Sequence, residues 1–473
     1  MGAAKAFESM FREYDIRGRV GEDELNTASV ERIIAAYAQL LNRRGINRAV
    51  LGYDNRSCSP AFASAARSAL TEAGINVMDI GLAISPLVYY AQHAYGCEGA
   101  VMITASHNPN GWSGFKLAKG LSKTLEPEDI KELYALVQQD PASKGTKKGS
   151  ISEVNARDGY LDAIVSRISM GARAPRIALD AGNGAAGLFA YELFQKLGCL
   201  TFQLNCDPDD SYPHYFPNPS DAKARQRLRE MVTHPYIKAD VGIGFDGDGD
   251  RIGVIDENGE DVWSDIILAV LARQTLAKYP GAPVVYDVKC SQTLEEVIRN
   301  SGGKPIMWKT GHSYIKAKLQ ELNAPLGGER SGHLFFGGSD YYGFDDALFA
   351  GARLVEFLSH TLDSLSKVIA GFSRYVTSPE IKARCPDEEK YSVMDEIIEE
   401  FKARYPGRVN DLCGARVKFD NGWGLVRASS NMPELVLIFE ADTKAQLQEI
   451  REVFRQVLGA YPQVDSRWEN DMV

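Results

Sequence analysis

Short apolar runs of strand length alternate with longer helical patterns along this 473-residue chain, and the alternation restarts more than once. Runs at 48–52, 75–80 and 99–103 read as strands. A helical pattern over 61–73, closed by Gly74, separates the first two. The pattern restarts at 176–180, with a glycine-rich turn and a helical stretch over 188–197, and again at 283–288, with helical residues over 294–298. This predicts α/β units with largely parallel pairing. The last hundred residues differ: strand-like runs at 416–419, 424–428 and 435–440 lie between helical patterns, which predicts a smaller α+β unit. The length implies several domains. Breaks fall near 140–150, 258–260 and 371–379.

The densest chemistry lies in Asp246-Gly247-Asp248-Gly249-Asp250-Arg251. Three carboxylates this close repel one another unless a cation sits among them, and hard oxygen ligands suit Mg²⁺, Mn²⁺ or Ca²⁺ rather than zinc. Arg251 adds a handle for an anion beside the metal, the usual equipment for phosphoryl transfer. An EF-hand would need glycine where Arg251 stands, and helices on both sides. The flanks, 241–245 and 252–255, read as strands instead. An exposed acidic turn is the remaining bland alternative.

A second cluster, Thr104-Ala105-Ser106-His107-Asn108-Pro109, follows the run ending at Ile103, with Lys116 a few residues downstream. A strand-end loop would present the Ser106 hydroxyl, which needs a base or a metal to become reactive. The formal net charge of -10 argues against nucleic acid or an acidic membrane as a partner, so an anionic substrate would need a locally basic pocket. Seven scattered cysteines without a Cys-x-x-Cys pair fit a reducing cytoplasm. No apolar signal core and no membrane-length apolar run is present, so the expected location is cytoplasmic.

Together these motifs resemble the α-D-phosphohexomutase superfamily, most nearly its bacterial phosphomannomutase/phosphoglucomutase branch. Residues 13–18 (Glu-Tyr-Asp-Ile-Arg-Gly) resemble its N-terminal motif, and 328–333 (Gly-Glu-Arg-Ser-Gly-His) its sugar-specificity loop. Residues 427–433 resemble its C-terminal phosphate-binding loop. Asp287-Val288-Lys289-Cys290 and Thr310-Gly311-His312-Ser313 match in order and spacing. Two departures stand out: Arg330 replaces a common Met, and Ser430-Asn431-Met432 replaces the usual Asn-Thr-x.

The resemblance implies an α/β, four-domain architecture around a central cleft: three similar α/β domains over 1–157, 158–260 and 261–372, and a smaller α+β domain over 373–473. It implies exchange of phosphate between C1 and C6 of mannose and glucose phosphates, through phosphoserine at Ser106 and a hexose 1,6-bisphosphate intermediate or activator. Mg²⁺ would be held by Ser106, Asp246, Asp248 and Asp250. Lys116, His333, His107 and Arg251 would serve catalysis. Tyr14, Arg17, Lys289, His312, Glu329, Ser331, Arg427, Ser429, Ser430 and Asn431 would bind substrate. The choice of general base between Lys116 and His333 stays open, as does monomer or homodimer. The expected partner is a small sugar phosphate, with neither nucleic acid nor membrane involved.

Rival readings remain. Phosphoglucosamine mutase is the nearest within the class. Gly182-Asn183-Gly184-Ala185-Ala186-Gly187 matches a dinucleotide fingerprint, with Asp207 placed for a ribose, so an NAD-dependent oxidoreductase is a formal rival. A non-enzymatic Ca²⁺-binding scaffold on Asp246 to Asp250 is another.

Overall fold

The structure is a computed structural model, described over residues 7–139, 147–430, 432–465 and 467–468. Three of its sheets repeat one strand order. In the first, Asn76–Leu82, Arg48–Tyr53 and Gly99–Ile103 run parallel, and Trp112–Lys119 closes back antiparallel on the last. The second places Leu200–Leu204, Arg176–Asp180 and Val241–Phe245 parallel, then Ile252–Asp256 antiparallel. The third places Lys304–Trp308, Pro283–Asp287 and Leu326–Gly328 parallel, then Leu334–Phe336 antiparallel. Each of these four-strand cores is therefore mixed, and the expectation of largely parallel pairing holds only up to its last strand. The reversal matters: the turn before it carries 104–111 in the first sheet, 246–251 in the second and 329–333 in the third. Both chemical motifs and the sugar-loop motif thus occupy equivalent positions in a thrice-used topology.

The fourth sheet is antiparallel, with Gly422–Ala428 and Glu434–Ala441 at its centre and the 429–433 turn between them. Helices Lys390–Arg404 and Lys444–Leu458 cover it.

The helices follow from their patterns. Thr27–Arg43 buries Val30, Ile33, Ile34, Tyr37, Leu40 and Leu41, a stripe at helical spacing. Asn26 caps it, its side chain accepting from Ser29 N at 3.0 Å while the Ser29 hydroxyl accepts from Asn26 N at 2.9 Å. One apolar cluster runs continuously from Val50 through Leu179 and Ile243 to Leu358, joining the first three units. Each large side chain in it adds about 1.5–3 kcal/mol of burial. The fourth unit has its own core around Phe401, Phe439 and Phe454. A small cluster of Val288, Trp423, Leu425 and Ile438 ties it to the third. Among the described residues no helix is long and apolar enough to cross a membrane.

Candidate active site

Ser106 sits just past the strand Gly99–Ile103 with φ of 51°, a left-handed conformation uncommon for a residue with a β-carbon. Its N–H donates to Thr104 Oγ1 at 2.8 Å, which fixes the turn. The side chain is buried, and Oγ donates to Asp246 Oδ2 at 2.7 Å, across 140 residues of chain. The His107 ring lies 3.1 Å from the same hydroxyl, and Arg251 Nη2 lies 3.5 Å away. Arg251 Nε donates to Asp246 Oδ2 at 3.1 Å.

Two residues that the sequence reading passed over hold this loop. Arg56 donates to the carbonyls of Ser106 (3.1 Å), Asn108 (2.6 Å) and Pro109 (3.0 Å), and pairs with Asp54 at 3.2 Å. Asp54 in turn accepts from Ala105 N at 3.4 Å and Ser59 Oγ at 2.6 Å. The only signal was their place at the end of the strand Arg48–Tyr53, where an α/β sheet presents its loops.

Glycine is needed where the two loops touch. A β-carbon on Gly247 would lie 2.6 Å from the Ser106 carbonyl oxygen, and one on Gly184 would lie 2.8 Å from Gly247 Cα. Ala185 N also donates to Gly247 O at 3.1 Å. The fingerprint-like turn 182–187 therefore packs under the aspartate loop. At Gly184, the space a pyrophosphate would need is filled by protein backbone.

Asp246, Asp248 and Asp250 offer oxygens that all lie within 4.8 Å of one another, and all three side chains are buried. Asp248 Oδ1 and Asp250 Oδ1 are buried without any hydrogen-bond partner. Burial, then Asp250 and Asp248, push the Asp246 carboxyl up to about 7. Unsatisfied oxygens and crowded carboxylates fit a hard divalent cation such as Mg²⁺. A second cluster, Asp250, His333 and Asp345, brings an imidazole and suits Mg²⁺ less well. Moreover, His333 Nδ1 already bonds Asp345 Oδ2 at 2.9 Å.

Lys116 lies buried beside the triad. Its ammonium donates to Asp248 Oδ2 at 2.6 Å, to Ser85 Oγ at 3.1 Å and to Asp250. Ser85 also donates to Asp248 Oδ2, at 2.7 Å. Burial opposes the charge on Lys116, but Asp248 and Asp250 outweigh it and hold its pKa well above the ordinary value. At His333 burial is likewise outweighed, here by Asp250 and the bond to Asp345, and its pKa rises. Ser85 and Asp345 are further residues the sequence did not disclose.

The third unit turns toward the same place. Arg251 bridges His333, and Ile252 N donates to Gly332 O at 3.1 Å. Glu329 accepts from Gly311 N and from Ser331 Oγ, both at 3.0 Å. Burial raises its pKa. His312 is buried with both ring nitrogens unpartnered, and its ring meets the edge of Tyr14 at 4.8 Å. Burial, then Lys316 with Lys116 and His333 behind it, hold its pKa well below the ordinary value, so the ring is neutral. Burial, with Arg251 and Arg17 adding to it, keeps His107 neutral as well. Arg17 pairs with Asp15 at 3.0 Å and reaches Thr104 O at 3.5 Å.

Lys289 pairs with Glu380 of the fourth unit at 2.9 Å. Arg427 is buried; its Nε has no partner and Nη2 meets Ser430 Oγ at 3.3 Å. Ser429 Oγ accepts from Met432 N at 3.2 Å. Asn431 lies outside the described residues. Arg330 is held by groups outside the sugar loop. Its guanidinium bonds Asp265 Oδ2 at 3.2 Å and Thr377 Oγ1 at 3.0 Å over the Trp263 ring, so the departure from Met aims away from the sugar loop's carboxylate.

Family models bear on this arrangement. The phosphoglucomutase/phosphomannomutase alpha/beta/alpha domains I, II and III match residues 8–144, 158–259 and 263–375, and the C-terminal domain of the same family matches 380–457.

The chain belongs to the phosphoglucomutase/phosphomannomutase family.

Relatives within the family span its length. A phosphomannomutase/phosphoglucomutase of Pseudomonas putida is 37% identical over 97% of each chain. A phosphoglucomutase of Neisseria meningitidis is 38% identical over 97% of this chain and 98% of its own. A crystal structure of a family protein from Burkholderia thailandensis superposes with a TM-score of 0.87 at 34% identity, over 96% of this chain and 97% of that one. The four-unit architecture is the family's.

Proposed function

We propose that this protein moves a phosphoryl group between C1 and C6 of hexose phosphates, with mannose and glucose phosphates as substrates. Ser106 carries the phosphoryl group, and a hexose 1,6-bisphosphate is the intermediate. The observation that carries the reading is the Ser106 hydroxyl held 2.7 Å from Asp246, inside a buried triad of carboxylates with two unsatisfied oxygens. The relatives' names, phosphomannomutase/phosphoglucomutase and phosphoglucomutase, support the same class. The units proposed to contribute the four loops are 1–157, 158–260, 261–372 and 373–473.

Asp246, Asp248 and Asp250 would hold Mg²⁺ against the seryl oxygen. The metal would offset charge on the phosphoryl group as it transfers. The protein's own groups do the rest. A sugar hydroxyl attacks phosphorus, the bond from phosphorus to Ser106 Oγ breaks, and the hydroxyl proton must leave. All three donors of Lys116 are already engaged by Asp248, Asp250 and Ser85, so Lys116 is a poor acceptor for it. His333 has Nδ1 bound to Asp345, which leaves Nε2 open to take the proton. His333 is therefore the proposed base, and Lys116 the electrostatic partner of the triad.

Arg427, Ser429 and Ser430 form the remote anchor for the phosphate not in transfer, with Arg427 offering a guanidinium fork. Glu329 and Ser331 receive the adjacent ring hydroxyls, and the unpartnered His312 faces the same substrate. Tyr14, Arg17 and Lys289 complete the wall, and His107 and Arg251 flank the seryl oxygen. The bisphosphate turns over between these two ends, which returns the second phosphate to Ser106.

The test is phosphorus NMR of mannose and glucose 1-phosphates with Mg²⁺ and a trace of the matching 1,6-bisphosphate. A growing 6-phosphate signal is expected for both sugars. No conversion of either by folded protein overturns the assignment. Conversion of glucosamine 1-phosphate alone would transfer it to the glucosamine branch.

A further inference from the structure

Between the third and fourth units, away from the cleft loops, lies an open groove with a volume of about 390 Å³. Its floor is Arg416, whose guanidinium carbon lies over the Trp423 ring, 3.8 Å from the centroid. Arg416 is only 8% exposed, yet among the described residues no carboxylate comes within ion-pair distance of it. Its guanidinium carries five donors and uses two, on the Met307 thioether at 3.3 Å and the Cys290 carbonyl at 3.2 Å. Neither neutralises a charge.

Other buried arginines behave differently: Arg56, Arg251 and Arg330 each meet a carboxylate. Arg427, the proposed phosphate anchor, also forms no ion pair with a carboxylate among the described residues, but there burial is outweighed by Cys413, Tyr14 and Glu13, which hold its pKa above the ordinary value, unlike that of Arg416. The acidic groups that act on Arg416 are engaged elsewhere. Glu440 accepts from Trp423 Nε1 at 2.8 Å and from Gln292 N at 2.9 Å, and Glu295 pairs with Arg299 at 2.8 Å. Burial, opposed by Tyr286, Glu440, Cys290 and Glu295, leaves the pKa of Arg416 below its ordinary value, as for a buried cation that lacks its counter-ion.

Lys418 is two residues along the same strand, Ala415–Phe419, so it projects from the same face. It is exposed at the groove mouth and has no ion-pair partner among the described residues. Arg408 and Arg299 also line the groove but are already paired, with Asp420 and Glu295, both at 2.8 Å, and Glu296 accepts from the Tyr375 hydroxyl at 2.6 Å, so Arg416 and Lys418 are the cations left to the site.

We propose that this groove is a second anion site, which takes a small phosphate group with Arg416 as its buried anchor and Lys418 at its mouth. The phosphate is either the free inorganic ion or the end of a phosphorylated metabolite. Met307 and Trp423 supply apolar surface beside it. The site is separate from the catalytic cleft and does not depend on the proposed mutase reaction.

Two methionines make it testable. Met307 touches Arg416, whereas Met432 lies in the turn after Arg427. The full chain, labelled with carbon-13 at the methionine methyls and assigned through Met307→Leu and Met432→Leu, is titrated with inorganic pyrophosphate. Met307 is expected to shift saturably with its own midpoint. That midpoint should stay put in Arg427→Gln, rise at least tenfold in Arg416→Gln and rise about threefold in Lys418→Glu. Lys418 is exposed, so its variant decides the matter even where Arg416→Gln folds poorly. A Met307 signal that stays still while Met432 saturates overturns the proposal. So does one that follows Met432 and is lost with Arg427, or one indifferent to Lys418→Glu and Arg416→Gln. A nucleoside monophosphate in place of pyrophosphate separates the sources: a lower midpoint assigns a phosphate ester, a higher one the inorganic ion.

Discussion

Gly247→Ala probes how closely the serine and aspartate loops must meet. Gly247 has no left-handed φ, so alanine adds a methyl group without backbone strain. That methyl would lie 2.6 Å from the Ser106 carbonyl oxygen and 3.1 Å from Pro217 Cγ, where ordinary contact begins at 3.4 Å. The carbonyl must therefore retreat by about 0.8 Å, and its bond from Arg56 at 3.1 Å resists the move. Overpacking of this kind costs about 1–3 kcal/mol of stability. A misplacement of nearly 1 Å at the reacting group lowers kcat by about a hundredfold. Gly244→Ala is the control, because its nearest neighbour would be 3.6 Å away, an ordinary contact on the strand leading into the same loop. The assay is steady-state conversion of mannose 1-phosphate, with calorimetric melting of both variants. Gly247→Ala should lose kcat with a small change in KM, and Gly244→Ala should stay within about threefold of the parent. A Gly247→Ala enzyme with parental kcat would refute the claim that the Ser106 carbonyl and the aspartate loop must touch for catalysis.

Ser106→Ala should abolish stoichiometric labelling by hexose 1,6-bisphosphate while the melting profile is kept; retained labelling removes Ser106 as the carrier. Arg427→Ala should raise KM for either sugar phosphate by about ten- to a hundredfold, as expected for loss of charge-assisted bonds, and an unchanged KM takes Arg427 out of the anchor. Asp346 is fully buried and accepts from Phe349 N and the Tyr160 and Tyr341 hydroxyls, and burial pushes its carboxyl up to about 6. The folded protein therefore holds this proton more tightly than the unfolded chain. The contribution is full below about pH 4 and is lost as pH rises through 6, an effect of about 3 kcal/mol. Asp346→Asn should flatten that part of the stability curve between pH 4 and 7 in urea titrations; an unchanged slope would show that Asp346 is ionised in the fold.

What could be read from the chain beforehand follows the range of each interaction. The Ser106 turn and the Asp246 to Asp250 run were legible because their chemistry is concentrated in a few consecutive residues. The glycine turn at 182–187 looked like a cofactor fingerprint because close backbone approach demands glycine whatever approaches, and here it is Gly247 rather than a pyrophosphate. The antiparallel closing strands were illegible, since an apolar run such as 252–255 has the same composition whichever way its neighbour points. Asp54, Arg56, Ser85 and Asp345 were hidden for a related reason. Arg56 reaches the Ser106 carbonyl across 50 residues, and Ser85 reaches Asp248 across 163. Beyond the strand-end position of Asp54 and Arg56, no local pattern marks such partners. The direction of Arg330 belongs to the same class, because Asp265 and Thr377 decide it from two other segments. The thrice-repeated hairpin reconciles the two halves of the problem. A short motif on the turn of each hairpin needs only local residues to be recognised. The convergence of those turns is set by sheets whose pairing the sequence does not display. Substitutions in the motifs should therefore act on chemistry, and substitutions in contacts such as Gly247 or Arg56 should act on how accurately separately folded turns meet.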